Sequence, residues 1–557
     1  MIEPRTPAAP LSPAAAAFAD IIESAQPVAD GRAGQLAARC FLGASDGHSC
    51  LEAATCFPAG DAAAALAALF EGNRLVMTAS GPDQDIGPCL LVIFRDRLYL
   101  KKYWLLETAL IRHVRMRTNA LPMPDVTEAS ARLALCCLDK PLCLLTGGPG
   151  TGKTTAISGA LTHWISAFHA RHDRIPQIRL CAPTGKAAAR MNDAWQRQKA
   201  VLLQALPPAL QPALPESALT LHRLLAIDPI SRQGRYGPDR PLAADLLVFD
   251  EASMIDLPMT VQLFDALPAS CHVLLVGDPE QLPSIEIGSV LNALISLPEG
   301  SVLQKRLASA HIRLLQNHRQ AESPGLSGLG HDVMQAAAER VESRLTAGAY
   351  DAVRFQDSTR QALTAVVEDA VRHYRAVAAQ PGVEQAMAML GHHMVLSPVR
   401  DGPSGCVTLN ARIGNAMATN PDDHGYVLMV TENMPAMGLS NGDIGIVWRC
   451  PDGPKAHFQT GGQMFSVALS GLPRHEPAYA LTVHKAQGSE FGHVDFILPE
   501  TDSPLLGKPL FYTAVTRARK SLRITAAPGM LSTVLGRNSL RMSGLSALAG
   551  STQQEVQ

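Results

Sequence analysis

With 557 residues the chain has room for about three to four domains at roughly 150 residues each. Its hydrophobic fraction of 47% and charged fraction of 18% exclude wholesale disorder. Forty-eight Lys and Arg against fifty Asp and Glu leave a formal charge of -2, so a polyanion must be met by local basic patches, not by bulk charge. The eleven cysteines are scattered and none stands in C-x-x-C spacing. The adjacent pair Cys136–Cys137 suits neither a zinc site nor an iron–sulfur clamp, and unclustered thiols fit a reducing cytosol. The N-terminus MIEPRTPAAPLSPAAAAF lacks the basic start and apolar core of a signal peptide, and no stretch reaches the ~18 apolar residues of a membrane span. A cytoplasmic location is expected.

In chain order, residues 1–117 read as a small N-terminal domain with apolar runs CLLVIF (Cys89–Phe94) and LYL (Leu98–Leu100). It closes on a basic segment, RDRLYLKKYWLLETALIRHVRMR, with seven Lys or Arg against two acids, which is either a solvated helix face or a contact surface. TNALPMPDV (Thr118–Val126) reads as a linker. Residues 118–325 then alternate helical stretches with the short apolar runs LCLLT (Leu142–Thr146), IRLCA (Ile178–Ala182), LLVF (Leu246–Phe249) and HVLLVG (His272–Gly277). Such runs are the mark of parallel strands buried on both faces, so the expected class is α/β. The Pro-rich LPPALQPALPES (Leu206–Ser217) is expected to be a surface loop. A second alternating block, 326–530, contains MVLSP (Met394–Pro398), HVDFIL (His493–Leu498) and LRIT (Leu522–Thr525). Within it, 427–478 carries NGDIGIVWRC and FQTGGQMFSVAL, the texture of a small antiparallel β-barrel insertion. Residues 531–557 are expected to form a mobile tail.

The chemistry concentrates at GGPGTGKTT: Gly147, Gly148, Pro149, Gly150, Thr151, Gly152, Lys153, Thr154 and Thr155. It satisfies G-x-x-x-x-G-K-[ST] between an apolar run and a helical stretch, the context that motif requires. Glycines let successive backbone N–H groups turn inward on phosphates, aided by the positive end of the following helix. Lys153 is then placed for the β- and γ-phosphates and the Thr154 hydroxyl for Mg2+. LLVFDEAS ends an apolar run in Asp250, a second ligand for the metal, and Glu251, a base for the attacking water. GDPEQLPS (Gly277–Ser284) ends another, with Gln281 as the γ-phosphate sensor. Arg319 in LLQNHRQ and Arg517 in FYTAVTRARKSL are candidate cations for the charge that builds during phosphoryl transfer. Arg517 lies in the second block, which places the nucleotide between two domains.

GGPGTGKTT, CAPTGKAAARM, TLHRLL, VFDEAS, VGDPEQLPS, NHR, LTVHKAQGSEF and YTAVTRAR stand in the order of a superfamily 1 helicase of the 5′→3′ branch. RLYLKKYWLLE, SPVRDGPSGCVTLN and NGDIGIV further resemble the RecD family, the alpha subunits of exodeoxyribonuclease V (the RecBCD complex). The resemblance implies two RecA-like P-loop NTPase domains, ATP and Mg2+ as cofactors, and ATP-dependent translocation on single-stranded DNA from double-stranded ends. It also implies RecB and RecC partners, and a role in double-strand break repair and recombination. It places Pro183, Thr184, Gly185, Lys186, Thr220, His222, Thr482, His484 and Lys485 against DNA, with Gln487, Gly488 and Glu490 coupling to the nucleotide cleft. One departure stands out. Helicases of this superfamily usually carry an adenine-reading Gln upstream of the P-loop, yet no Gln lies between Met116 and Thr155; the expected position falls near Ser130, beside Glu128. Two other readings remain: a free-standing helicase relative, and a catalytically silent structural subunit.

Overall fold

The structure is a computed structural model and describes residues 11–27, 30–57, 61–119, 121, 126, 128–228, 230–315, 323–335, 337–418, 423–434, 437–460, 463–538 and 541–550. The N-terminal region holds a four-stranded sheet of β1 (Leu51–Glu52), β2 (Val76–Thr78), β3 (Leu91–Phe94) and β4 (Arg97–Leu100), in the order β1-β4-β3-β2. The basic segment that follows becomes the helix Lys101–Met116. It is a joint, not a solvated face. It buries Trp104, Leu110, Ile111 and Val114 and packs on the helix Leu257–Ala266 of the next layer. At its end the buried Arg117 donates to the carbonyls of Phe264, Leu267 and Pro268. Guanidinium groups suit such a seam, because their fork of donors satisfies several carbonyls that end a helix. The linker read at 118–126 lies largely outside the described residues.

The first α/β layer carries six strands: β5 (Leu142–Gly147), β6 (Ile178–Ala182), β7 (Ala218–Thr220), β8 (Leu246–Phe249), β9 (His272–Gly277) and β10 (His311–Leu314). Their order is β10-β5-β9-β8-β6-β7 and every pairing is parallel. The four apolar runs legible in the sequence are its four central strands, and β5 and β8 are buried along their whole length. Leu206–Ser217 departs from the surface loop expected of it. Pro208–Ala213 forms a 3-10 helix, and Leu206, Leu210, Ala213 and Leu214 join the core beside Trp195, whose Nε1 donates to the Pro215 carbonyl at 2.8 Å. Leucines at that spacing outweigh the prolines, which fit the turn because it asks little of their missing N–H.

The second layer begins with β11 (Val353–Asp357) and β12 (His393–Ser397). An insert then supplies β13 (Val427–Val430), β14 (Ile444–Cys450), β15 (Gly453–Thr460), β16 (Gln463–Ala468) and β17 (His475–Pro477). The layer resumes with β18 (Ala480–Thr482), β19 (Phe491–Ile497) and β20 (Ala518–Ala526), giving the parallel order β11-β20-β19-β12-β18. The insert is antiparallel as expected, in the order β16-β15-β14-β13-β17, but among the described residues its ladder has two ends and does not close into a barrel. The edge strand β17 has three residues, too few to pair across to β16.

The C-terminal stretch expected to be mobile is instead packed as far as it is described. Met530–Gly536 is a helix on the second layer, and Leu545–Ala549 is a helix whose Leu545, Leu548 and Ala549 enter the core of the first. Buried Glu107 anchors this strap: it accepts from Ser49 Oγ at 2.5 Å, Ser543 Oγ at 2.8 Å and the Gly544 N–H at 3.0 Å. Gly544 must be glycine, since a Cβ there would stand 1.6 Å from the Tyr99 hydroxyl.

One buried carboxylate ties β12, β19 and β20 together. Asp495 accepts from Arg523 at 2.6 and 2.9 Å, from His393 at 2.7 Å and from His493 at 3.1 Å. Burial alone would raise its pKa, but the hydrogen bonds from His393, His493 and Arg523 outweigh it and hold the carboxyl well below the usual range. Asp495→Asn should therefore cost about 3–5 kcal/mol near neutrality by leaving Arg523 under-compensated. Because the folded pKa lies below the ordinary 3.8, the stabilisation is complete above that value and is lost as pH falls below it. Chemical unfolding of both proteins from about pH 3 to 7 should show the two curves converging at the acid end.

Candidate active site

The P-loop connects the buried β5 to the helix Lys153–His172. Gly150 and Gly152 take φ of 79° and 80°, the left-handed region that favours glycine, and so wind the loop around its own centre. Thr151 Oγ1 closes it on the Gly148 carbonyl at 2.8 Å. Lys153 folds inward and donates to the carbonyls of Gly147 at 2.7 Å and Gly148 at 3.1 Å. The ammonium thus occupies the loop's own cradle. Thr154 and Thr155 follow it in the first helical turn.

Asp250 stands immediately beyond the end of β8, two strands from β5, and faces Lys153. Burial, reinforced by the neighbouring Glu251 charge, pushes its pKa up to about 6, with Lys153 pulling the other way. Its Oδ1 accepts from the Glu251 N–H at 2.9 Å. Glu251 itself sits at φ 53°, a strained place for a non-glycine residue, which turns its side chain away from the strand direction.

Asp278, just past β9, is the group on which the cleft converges. It is buried and accepts from Gln281 Nε2 at 2.9 Å, from the Glu280 N–H at 3.1 Å and from the Tyr512 hydroxyl at 3.2 Å. Tyr512 belongs to the helix Lys508–Val515 of the second layer, so this bond crosses between the layers. Burial raises the Asp278 pKa, opposed first by the charge of Lys153. Arg517 is likewise buried, and its charge is balanced first by Glu251, then by Glu490 and Asp278. Its guanidinium is held by the carbonyls of Thr513 and Ser489 and by Thr516 Oγ1, at 3.0, 3.1 and 3.1 Å. Lys153 of the first layer and Arg517 of the second thus both interact electrostatically with Asp278. A cleft of about 600 Å3 opens beside the loop, lined by Gly148, Pro149, Asp278, Arg313, Tyr512 and Arg519 among others.

Two further hydrogen bonds cross the cleft at the sensor loop. The Leu282 N–H donates to Thr513 Oγ1 at 2.9 Å, and Gln487 Nε2 donates to the Leu282 carbonyl at 3.0 Å. Glu490 is an ion-pair hub, with Arg519 at 2.9 Å and Arg190 at 3.6 Å; Arg190 also donates to the carbonyl of Gly488, whose φ is +69°. Tyr512, Thr513 and Arg190 were not singled out from the sequence as site residues, although all three lie inside the quoted motifs YTAVTRAR and CAPTGKAAARM. Arg319 falls outside the described residues.

The residues read as facing DNA lie at or just beyond the C-terminal ends of β6, β7 and β18. Pro183 follows β6, and Thr184 caps the helix Gly185–Ala205, its side chain accepting from the Ala187 N–H. Thr220 pairs in register with Ala182 and caps the next short helix, which exposes His222. In the second layer Thr482 ends β18 and its Oγ1 accepts from the Lys485 N–H at 3.3 Å. His484 has its pKa lowered by burial and by Arg541. Lys485 is tied to Glu476 at 2.5 Å.

Residues 132–286 match the AAA domain family and residues 477–525 match the UvrD-like helicase C-terminal domain. The chain is 33% identical over 477 residues to the RecBCD enzyme subunit RecD of Mycolicibacterium smegmatis, covering 82% of this chain and 83% of that one. The chain belongs to the RecD family. The Haemophilus influenzae RecBCD enzyme subunit RecD is 31% identical over 464 residues, 74% of this chain and 70% of that one. An ATP-dependent RecD2 DNA helicase of Deinococcus radiodurans is 31% identical over 388 residues, 68% of this chain and 46% of its own length. The protein is accordingly a DNA helicase with ATPase activity, built on two RecA-like layers. Among the described residues no helix is long and apolar enough to cross a membrane, and all eleven cysteines are free thiols.

Tyr512→Phe removes one bond that spans the cleft and strips Asp278 of a donor, a loss of about 1–3 kcal/mol for a buried charged acceptor. The variant should fold normally and raise the KM for ATP several-fold in a steady-state hydrolysis assay.

Proposed function

We propose that the chain is the 5′→3′ single-stranded DNA translocase of a RecBCD-type exodeoxyribonuclease V complex. It acts in the cytoplasm at double-stranded ends, beside RecB- and RecC-type partners, in break repair and recombination. The observation that carries this reading is a P-loop whose lysine acts on Asp278 while the second layer reaches the same carboxylate, through the Tyr512 hydroxyl at 3.2 Å and the charge of Arg517. A nucleotide triphosphate bound there closes the two layers on each other, and its loss lets them part.

In this scheme the N–H groups from Gly147 to Lys153 cradle the phosphates, and the Lys153 ammonium exchanges its two loop carbonyls for phosphate oxygens. The donors present fit a divalent cation. Asp250, with Glu251 beside it, and the Thr154 hydroxyl offer the hard oxygens that Mg2+ prefers. When bound, the ion would neutralise charge building on the phosphate oxygens. Glu251 takes the proton of the attacking water, Gln281 orients that water or the γ-phosphate, and Arg517, together with Arg319, stabilises the departing charge. Closure then passes through Gln487, Gly488 and Glu490 to Thr482, His484 and Lys485 in the second layer, and through Arg190 to Thr184, Gly185 and Lys186 in the first. Movement along DNA follows because the two sets of backbone contacts change spacing once per nucleotide hydrolysed.

Lys153→Gln should reduce DNA-stimulated ATP hydrolysis by at least ~100-fold while leaving partner and DNA binding intact. With the presumed partners held constant, strand displacement on 5′-tailed and 3′-tailed duplexes tests polarity: unwinding dependent on Lys153 should require the 5′ tail. Unwinding from 3′ tails alone would refute the assigned direction.

Base selectivity is a separate expectation. Near the place of the missing adenine-reading Gln, Ser130 packs against Gly159 and Glu128 is exposed at the start of a helix. With no amide there to read the adenine edge, hydrolysis of GTP should come within about tenfold of ATP at saturation, whereas strict ATP preference would show that another group reads the base.

A further inference from the structure

The insert approaches the first layer closely at Gly185. Its turn Ser440–Asp443, the start of the NGDIGIV string, lies on the N-terminus of the 21-residue helix Gly185–Ala205. The approach is close: a Cβ on Gly185 would stand 2.1 Å from Ser440 Oγ and 2.3 Å from Ser440 Cβ. The turn is firmly built. Asp443 Oδ2 accepts from the Ser440 N–H at 2.7 Å, the Asp443 carbonyl accepts from the Val430 N–H at 2.9 Å, and Gly442 takes φ +97°.

Lys186, in the first turn of that helix, has a buried Nζ with no hydrogen-bond partner among the described residues. Such an ammonium is costly to bury and calls for an anionic oxygen. Burial pulls its pKa down to about 8, with Asp443 acting in the opposite sense and Arg190 and Arg517 adding to the positive surroundings. The first N–H groups of a long helix point the same way as Lys186 and favour the same kind of ligand. Asp443 thus faces an anion site that it complements in charge but does not hydrogen-bond.

We infer that Asp443 is a built-in stand-in for a backbone phosphate: the Ser440–Asp443 turn plugs the DNA-facing end of the helix Gly185–Ala205, and single-stranded nucleic acid must displace it to reach Lys186. This rests on the proposed DNA contacts of Thr184, Gly185 and Lys186 and adds a regulation of that same site. A phosphate has more acceptor oxygens than a carboxylate and is not tethered to Ser440, so it can meet Lys186 and the helix N–H groups together. The insert then acts as a gate whose opening is driven by the strand it admits. Charge neutralisation at Asp443 favours the open position, whereas removal of Lys186 weakens both the closed plug and the bound strand.

The test uses the full chain and a fluorescein-labelled oligothymidylate, read by anisotropy at fixed salt. Asp443→Asn keeps an oxygen for the Ser440 N–H, so the turn is retained while its charge is lost. It should bind the oligonucleotide about 3–10-fold more tightly than the parent, and Lys186→Gln should bind more weakly with a shallower salt dependence. In the double variant the gain from Asp443→Asn should disappear. Hydrogen exchange on the unsubstituted protein gives a second measurement: oligonucleotide should protect the amides of Gly185–Ala187 and speed exchange at Ser440 and Asp443. Unchanged or weaker binding by Asp443→Asn, or protection of the turn together with the helix, would overturn the gate while leaving the helicase reading intact. Absence of oligonucleotide binding by every form would overturn the DNA contacts themselves, and the gate with them.

Discussion

The structure depends on how one buried carboxylate is balanced. Asp278 lies beneath the cleft with no solvent to share its charge, and the groups that compensate it come from both layers: Lys153 and Gln281 from the first, Tyr512 and Arg517 from the second. A buried charge of this kind is tolerable only while its partners stay in place. The relative position of the layers is therefore coupled to whatever sits among these groups, and an incoming triphosphate changes that balance more than any other ligand the cleft could take. Hydrogen bonds from Leu282 and Gln487 carry the same coupling along the seam, so the sensor loop does not move independently of the second layer.

Much of this was legible from sequence, for definite reasons. LCLLT, IRLCA, LLVF and HVLLVG are strands because a parallel sheet covered on both faces needs short, unbroken apolar runs, and few other structures use them. The P-loop was legible because its glycines and lysine are each required by phosphate geometry. Asp250 interacts with Lys153, and Arg517 with Glu251 and Asp278, because their positions follow from strand ends and motif order. What local pattern could not show was long-range pairing. Glu107 is 437 residues from Gly544, and nothing in a Ser- and Gly-rich tail announces that its small residues are needed for close approach to Tyr99. The prolines of Leu206–Ser217 misled for a related reason, because their leucines find a core only in three dimensions. The insert's composition gave its antiparallel character but not its openness, which depends on the shortness of β17.

The basic helix Lys101–Met116 shows the same lesson from the side of charge. Its cations look like a solvated face or a contact surface when counted along the chain. In the fold, Arg117 satisfies carbonyls at the end of a neighbouring helix, Arg115 reaches the Leu548 carbonyl, and His113 pairs with Asp265 at 2.7 Å. Net positive charge in a segment is thus spent on joining the N-terminal region to the first layer. Of the cations proposed to meet DNA, Lys485 is paired with Glu476 and the Lys186 ammonium is buried.

The position of the helix Leu545–Ala549 also bears on biogenesis. Its leucines complete a core shared with Leu291, Leu294 and Leu303, residues synthesised long before it. Domains on a growing chain usually mature in order from the N-terminus. Here the core of the first layer keeps an apolar groove uncovered until Leu545–Ala549 has emerged, so it consolidates only after the second layer has been synthesised.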